Sequence, residues 1–152
     1  MLRSAAYGLR NSIKYLTSIN HGKMFTVEQI EAAHDSVKSG ADFPAYIRDI
    51  KQLGVTAYDV FVADGHSDYY GDNHYKTSSP SAHEPLIVSD LVDAEKFKQG
   101  LKEHQQGKTD YPTFIALCAA CGIEKWTVLM DSMTCTYYDK AGNEILAEEI
   151  PH

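Results

Sequence analysis

Apolar residues along this chain keep two rhythms, and each rhythm occurs twice. Ile30, Ala33, His34 and Val37 recur at a helical spacing of about 3.6 residues, as do Phe97, Gly100, Leu101 and His104. Thr26 precedes the first run with Gln29 three residues on, the spacing of a capping box, and Gly40 closes it. Asp93 precedes the second run and Gly107 closes it. A further helix in each half opens on Asp-aromatic-Pro, at Asp42-Phe43-Pro44 and Asp110-Tyr111-Pro112. There the carboxylate serves orphan amide N–H groups, and proline fits the first turn, which has no use for its missing donor. Gly54 and Gly122 stop these helices. The period then falls to about 2. Tyr58, Val60 and Val62 alternate with Asp59, Phe61 and Ala63, and Trp126, Val128 and Met130 alternate with Thr127, Leu129 and Asp131. This predicts strands with one buried face, followed by strands through Tyr69-Tyr70 and Thr136–Tyr138 and third strands at His74–Ser78 and Glu144–Glu148. Turns fall at 63–67, 131–134, 71–73 and 139–143.

The two halves align without a gap over Asp42–Gly71 and Asp110–Asp139. Seven of the 30 positions are identical, among them Pro44/Pro112, Gly54/Gly122, Tyr69/Tyr137 and Tyr70/Tyr138, and eight more keep apolar or aromatic character. The pattern predicts an α+β domain: two duplicated α-α-β-β-β units, about 24–79 and 91–150, related by a pseudo-twofold axis. Their antiparallel sheet carries helices on one face. A loop containing Pro80 and Pro85 joins the units. Positions that agree between halves serve the fold; positions that differ are freer to serve function.

Charge divides the chain differently. The net charge is −7, but residues 1–23 carry Arg3, Arg10, Lys14 and Lys23 and no acid, which leaves −11 for residues 24–152. So acidic a body disfavours nucleic acid and suits cationic ligands or basic partners. The first 23 residues place Leu2, Ala5, Leu9, Ile13 and Leu16 at helical spacing. Three readings fit them: a basic amphipathic surface helix, a targeting peptide, or an extension ahead of a domain that starts at Met24. No run approaches the roughly 18 apolar residues of a membrane span. The three cysteines, Cys118, Cys121 and Cys135, make no disulfide framework, and a reducing cytoplasm is expected.

Candidate chemistry is sparse. Cys118-Ala-Ala-Cys121 has redox spacing, but it lies in the last turns of its helix, where the dipole has the wrong sign to activate a thiolate. Its counterparts, Ile50 and Leu53, argue for core packing. Asp64, His66, Asp68 and His74 crowd one hairpin segment and offer carboxylate and imidazole to a divalent metal. An EF-hand is excluded, since Tyr69 occupies the glycine position. In the other half Ser132 and Thr134 replace Asp64 and His66, so the fold does not demand this tip. Tyr70 and Tyr138, each the outward member of an adjacent tyrosine pair, are candidates for a ligand surface together with Trp126. His34 and His104 sit on expected core faces. No nucleophile elbow, phosphate loop or paired HxxxH occurs.

At Met24–Ile30, Lys38–Tyr46, Asp64-Gly65-His66, His104–Phe114 and Thr136–Asn143 the chain resembles the YdfO-like family, bacterial and prophage-associated proteins of unknown function, some labelled phage envelope protein. The likeness covers about residues 24–151. It implies a small cytoplasmic α+β domain and brings no catalytic residues. The leading expectation is a non-enzymatic domain that holds a small molecule or a protein partner, without a cofactor, in a groove between the halves or at the His66 tip. A metal-binding protein or metal-dependent enzyme built on Asp64, His66, Asp68 and His74 is the second. An interaction or structural protein, phage-related or homodimeric through a sheet edge, is the third.

Overall fold

A computed structural model describes residues 24–38 and 40–151; the expectations for residues 1–23 lie outside them. Helix α1 spans Val27–His34 and opens with the expected capping box. Gln29 N–H donates to Thr26 Oγ1 (3.2 Å), and Gln29 Oε1 accepts from Thr26 N–H (2.9 Å). The helix ends well before Gly40, so Val37 lies beyond it, and His34 is exposed, edge-on to Tyr46. A 3-10 turn at Gly40–Asp42 leads into α2, Phe43–Leu53. That turn takes Asp42 out of the cap role: its carboxylate accepts from Lys38 N–H (2.9 Å) and makes no cap bond to α2. Helix α3 spans Ala94–Gln105 and α4 spans Tyr111–Ala120, capped by Asp93 on Lys96 N–H and by Asp110 on Thr113 N–H. Gly54 and Gly122 hold the left-handed conformation, at φ 111° and 81°.

The strands are β1 Ala57–Phe61, β2 Ser67–Tyr70, β3 Lys76–Ser78, β4 Lys125–Leu129, β5 Thr134–Tyr138 and β6 Glu144–Glu149. They form one antiparallel sheet in the order β3-β2-β1-β4-β5-β6. With the four α-helices of the described residues the fold is α+β. The halves meet at β1 and β4, whose register is centred on Asp59 opposite Thr127, two residues 68 apart in sequence.

Alternation sorts the sheet into two faces. Tyr58, Val60, Tyr69, Trp126, Val128, Cys135 and Tyr137 point one way and are buried with Tyr46, Ile47 and Ile50 of α2, Phe97 and Leu101 of α3, and Phe114, Ile115 and Cys118 of α4. Phe97 packs edge-on to Tyr137 (4.9 Å between ring centroids), and Trp126 lies 6.0 Å from Phe114. Among the described residues the opposite face carries no helix. β1 and β4 are joined by a continuous five-residue ladder, so the sheet runs unbroken from one half to the other.

Candidate functional site

The helix-free face is built from residues that alternate with the core. In the middle of it one row crosses all six strands in register: Ser78, Asp68, Asp59, Thr127, Thr136 and Ala147. Asp59 stands directly opposite Asp68, about 5.5 Å away between Cα atoms in a hydrogen-bonded pair of this kind. Like charges so placed repel and destabilise a sheet. The corresponding pair in the other half is Thr127 opposite Thr136.

Both carboxylates are well tended. The Asp59 side chain is 12% exposed and the Asp68 side chain 13%, although no helix of the described residues lies over them. Thr127 Oγ1 donates to Asp59 Oδ1 (2.5 Å), Tyr70 OH donates to Asp59 Oδ2 (3.4 Å), and Lys125 Nζ stands 3.9 Å from Oδ1. Ser78 Oγ donates to Asp68 Oδ1 (2.6 Å), with Lys76 Nζ at 3.6 Å and His66 Nε2 at 3.8 Å. Partial burial, and then the charges of Asp59 and Asp68, raise the Tyr70 hydroxyl above its ordinary range, so it stays a donor. The cations are themselves placed on rings. Lys76 Nζ lies 5.7 Å from the Tyr70 centroid, and Lys125 Nζ lies 5.9 Å from Phe61 and 5.6 Å from Tyr138. Such contacts contribute about 0.5–1 kcal/mol at exposed positions. The arrangement presents hydrogen-bond acceptors, hydroxyls and aromatic surface on one flat face. Nothing in it is an activated nucleophile.

The hairpin residues divide. His66 stacks on Phe61 (4.4 Å, 6°), and its Nδ1 lies 2.6 Å from Asp64 Oδ1. The His66 amide donates to that same oxygen (3.0 Å). These bonds lower the Asp64 carboxyl below its ordinary value, the backbone N–H contributing most. Asp68, facing Nε2, completes the contact. His74 does not join it. It is exposed, at φ 62°, in the turn at the other end of β2, and the four residues of that strand at about 3.3 Å each set roughly 13 Å between the two turns. Among the described residues no group of three or more His, Cys, Asp or Glu side chains is arranged to hold a metal ion.

Trp126 also parts from the tyrosines with which it was grouped. It pairs with Val60 and Tyr137 on the helix-covered face and is 8% exposed, whereas Tyr70 and Tyr138 are half-buried on the open face. One residue of strand register decides this. The tyrosines themselves stand three strands apart and four residues apart along the strand direction, Tyr70 in the row of Ala57 and Tyr138 in the row of Phe61, roughly 19 Å in all. The cysteine pair is core, as its counterparts indicated. Cys118 and Cys121 are fully buried, and burial raises both thiols and pushes Cys135 up to about 12. A shallow cavity of about 430 Å³ lies elsewhere, between α1 and β3, lined by Thr26, Glu28, Glu31, Tyr75, Thr77 and Ser78.

The family model described as a protein of unknown function, DUF1398, matches residues 31–149. This chain belongs to that family. The match runs from within α1 to the end of β6, so the whole open face of this DUF1398 domain falls inside it. No curated protein matches the chain. Among the described residues no helix is long and apolar enough to cross a membrane. Sequence reasoning missed Asp59, Lys125, Lys76 and Thr127 in this DUF1398 site. The signal was available in the aligned halves, where carboxylate stands over threonine at both Asp59/Thr127 and Asp68/Thr136. It acquires meaning only when pairing brings the four together.

Proposed function

We propose that this chain is a binding domain without catalytic activity, and that its ligand lies on the helix-free face of the sheet. One observation carries the reading: Asp59 opposes Asp68 where the same fold, one half over, is satisfied by Thr127 opposite Thr136. Opposed carboxylates are unfavourable by about 0.2–1 kcal/mol relative to a neutral pair, and a ligand that donates hydrogen bonds to both offsets that repulsion. Enclosed metabolite sites are concave. This face is a flat sheet surface, which suits an extended ligand or a protein segment that brings ammonium, guanidinium or hydroxyl groups to the carboxylates and lays apolar surface on Tyr70, Phe61 and Tyr138. The hydrogen-bonded His66 turn forms one border of that surface.

The test is an NMR titration of the full chain with polyamines, Lys/Arg peptides and neutral oligosaccharides. Amides of β1, β2 and β4 shift for at least one of these, and the shifts disappear in the Asp59→Thr, Asp68→Thr double variant. Shifts confined to the α1–β3 cavity, or unchanged by the double variant, overturn the reading.

A further inference from the structure

The two edges of the sheet are unlike, and the difference assigns a second surface. In an antiparallel ladder, alternate residues of an edge strand direct N–H and C=O toward their neighbour, and the rest direct them outward. On β3, Ser79 N–H donates to Ser67 O and Gly71 N–H donates to Tyr75 O (both 2.9 Å), so Lys76 and Ser78 face out. The next outward position is Pro80, which has no N–H, and α1 stands beside it across the shallow cavity. This edge is three residues long and closed by proline, as natural sheets close edges that should not pair.

The β6 edge is six residues long and has no proline within it. Ile150 N–H donates to Met133 O (2.7 Å), so Glu148 and Leu146 bond inward, and Ala147 and Glu149 present their N–H and C=O groups outward. Three of its six side chains are glutamates: Glu144, Glu148 and Glu149. Glu148 is held by Gln105 Nε2 (2.8 Å), and Glu144 and Glu149 are exposed. A second copy pairing here antiparallel lays one acidic strand against another, and like charges across or diagonal to a pair are unfavourable. A strand carrying Lys or Arg meets the opposite situation: the same glutamates supply cross-strand ion pairs while the backbone that no described strand pairs with supplies the ladder. We propose that β6 is a strand-addition edge for an extended, basic protein segment. The glutamates act as selectivity charges, refusing self-pairing and admitting a cationic strand.

The experiment uses the full chain and a synthetic nine-residue peptide alternating Lys with Thr and Val, fluorescently labelled, in low salt. Binding is expected by anisotropy, with slowed hydrogen exchange at the Ala147 and Glu149 amides and none at Lys76 and Ser78. Ala147→Pro removes an outward donor that the β5–β6 ladder does not use, and it weakens binding at least tenfold. Should that variant unfold, the peptide N-methylated along one edge gives the same tenfold loss on the wild-type chain. Glu149→Lys weakens binding several-fold. Absence of binding overturns the proposal, as does equal affinity for an acidic peptide of the same length, protection at β3, or concentration-dependent dimerisation abolished by Ala147→Pro.

Discussion

The two halves of this domain carry their central strands at matching positions and part company on one face. Strands β1 and β4 occupy 57–61 and 125–129, and both halves bury an aromatic residue at the first core position, Tyr58 and Trp126. On the helix-covered side the halves therefore pack alike: Tyr58 lies 5.6 Å from Tyr69, and Trp126 lies 5.8 Å from Tyr137. On the open side one half carries Asp59 and Asp68 with Lys76 and His66 about them, and the other carries Thr127 and Thr136. The core tolerates little variation because close packing penalises both gaps and excess volume. The open face is under no such constraint, so it is where the halves are free to differ. A stability measurement and a binding measurement should therefore separate along the faces of the sheet, not along the halves.

The largest expected effect tests the covered face. Trp126→Ala should cost about 3–5 kcal/mol, as deletion of a buried aromatic does, and Tyr138→Ala on the open face less than about 1 kcal/mol. Urea unfolding of both variants checks this; comparable losses would return Trp126 to the surface. Next is Gly122, at φ 81°, where an added Cβ comes within 2.8 Å of the Leu91 carbonyl oxygen. Gly122→Ala should cost about 2 kcal/mol from left-handed strain and that contact, read as a lower thermal midpoint. The comparison itself is sharpened by Asp59→Thr with Asp68→Thr, which writes the second half's row into the first. Stability should hold or rise by up to about 1 kcal/mol while ligand binding is lost. A clear fall in stability would mean that the carboxylates serve the fold.

The smallest effect concerns the tip. The Asp64 carboxyl is lowered by the bonds it accepts from His66, so it contributes stability that is present above the ordinary aspartate value of 3.8 and is lost as pH falls below it. Asp64→Asn should flatten that acid limb slightly in a series of denaturation curves between pH 5 and about 2. An unchanged limb would show that the His66 contact does not hold the turn.

Much of the fold was legible because its signals are local. A capping box at Thr26 and Gln29, Asp110 before a proline, and a glycine past a helix end each act within a few residues. The alternation at 58–62 and 126–130 likewise marks which side chains share a face without reference to the rest of the chain. Misreadings arose where a neighbour intervened: the turn at Gly40–Asp42 drew Asp42 to Lys38 and away from its helix. The four proposed metal residues do not come together as a set, because nearness in sequence is not nearness across a strand, and β2 carries His74 away from His66.

By itself the sequence determined the existence of the helices, three of their four caps, the period-2 strands and the α+β class, because periodicity and backbone chemistry are properties of short segments. Only the tertiary structure decided that β1 pairs with β4, and with it everything proposed about function: the row that sets Asp59 between Asp68 and Thr127, the continuity of the sheet across the halves, the burial of Trp126, and the place of β6 at an edge of the described sheet. Strand partners are chosen by burial and hydrogen bonding summed over the whole sheet, across separations such as the 68 residues between Asp59 and Thr127, and no single residue encodes that choice.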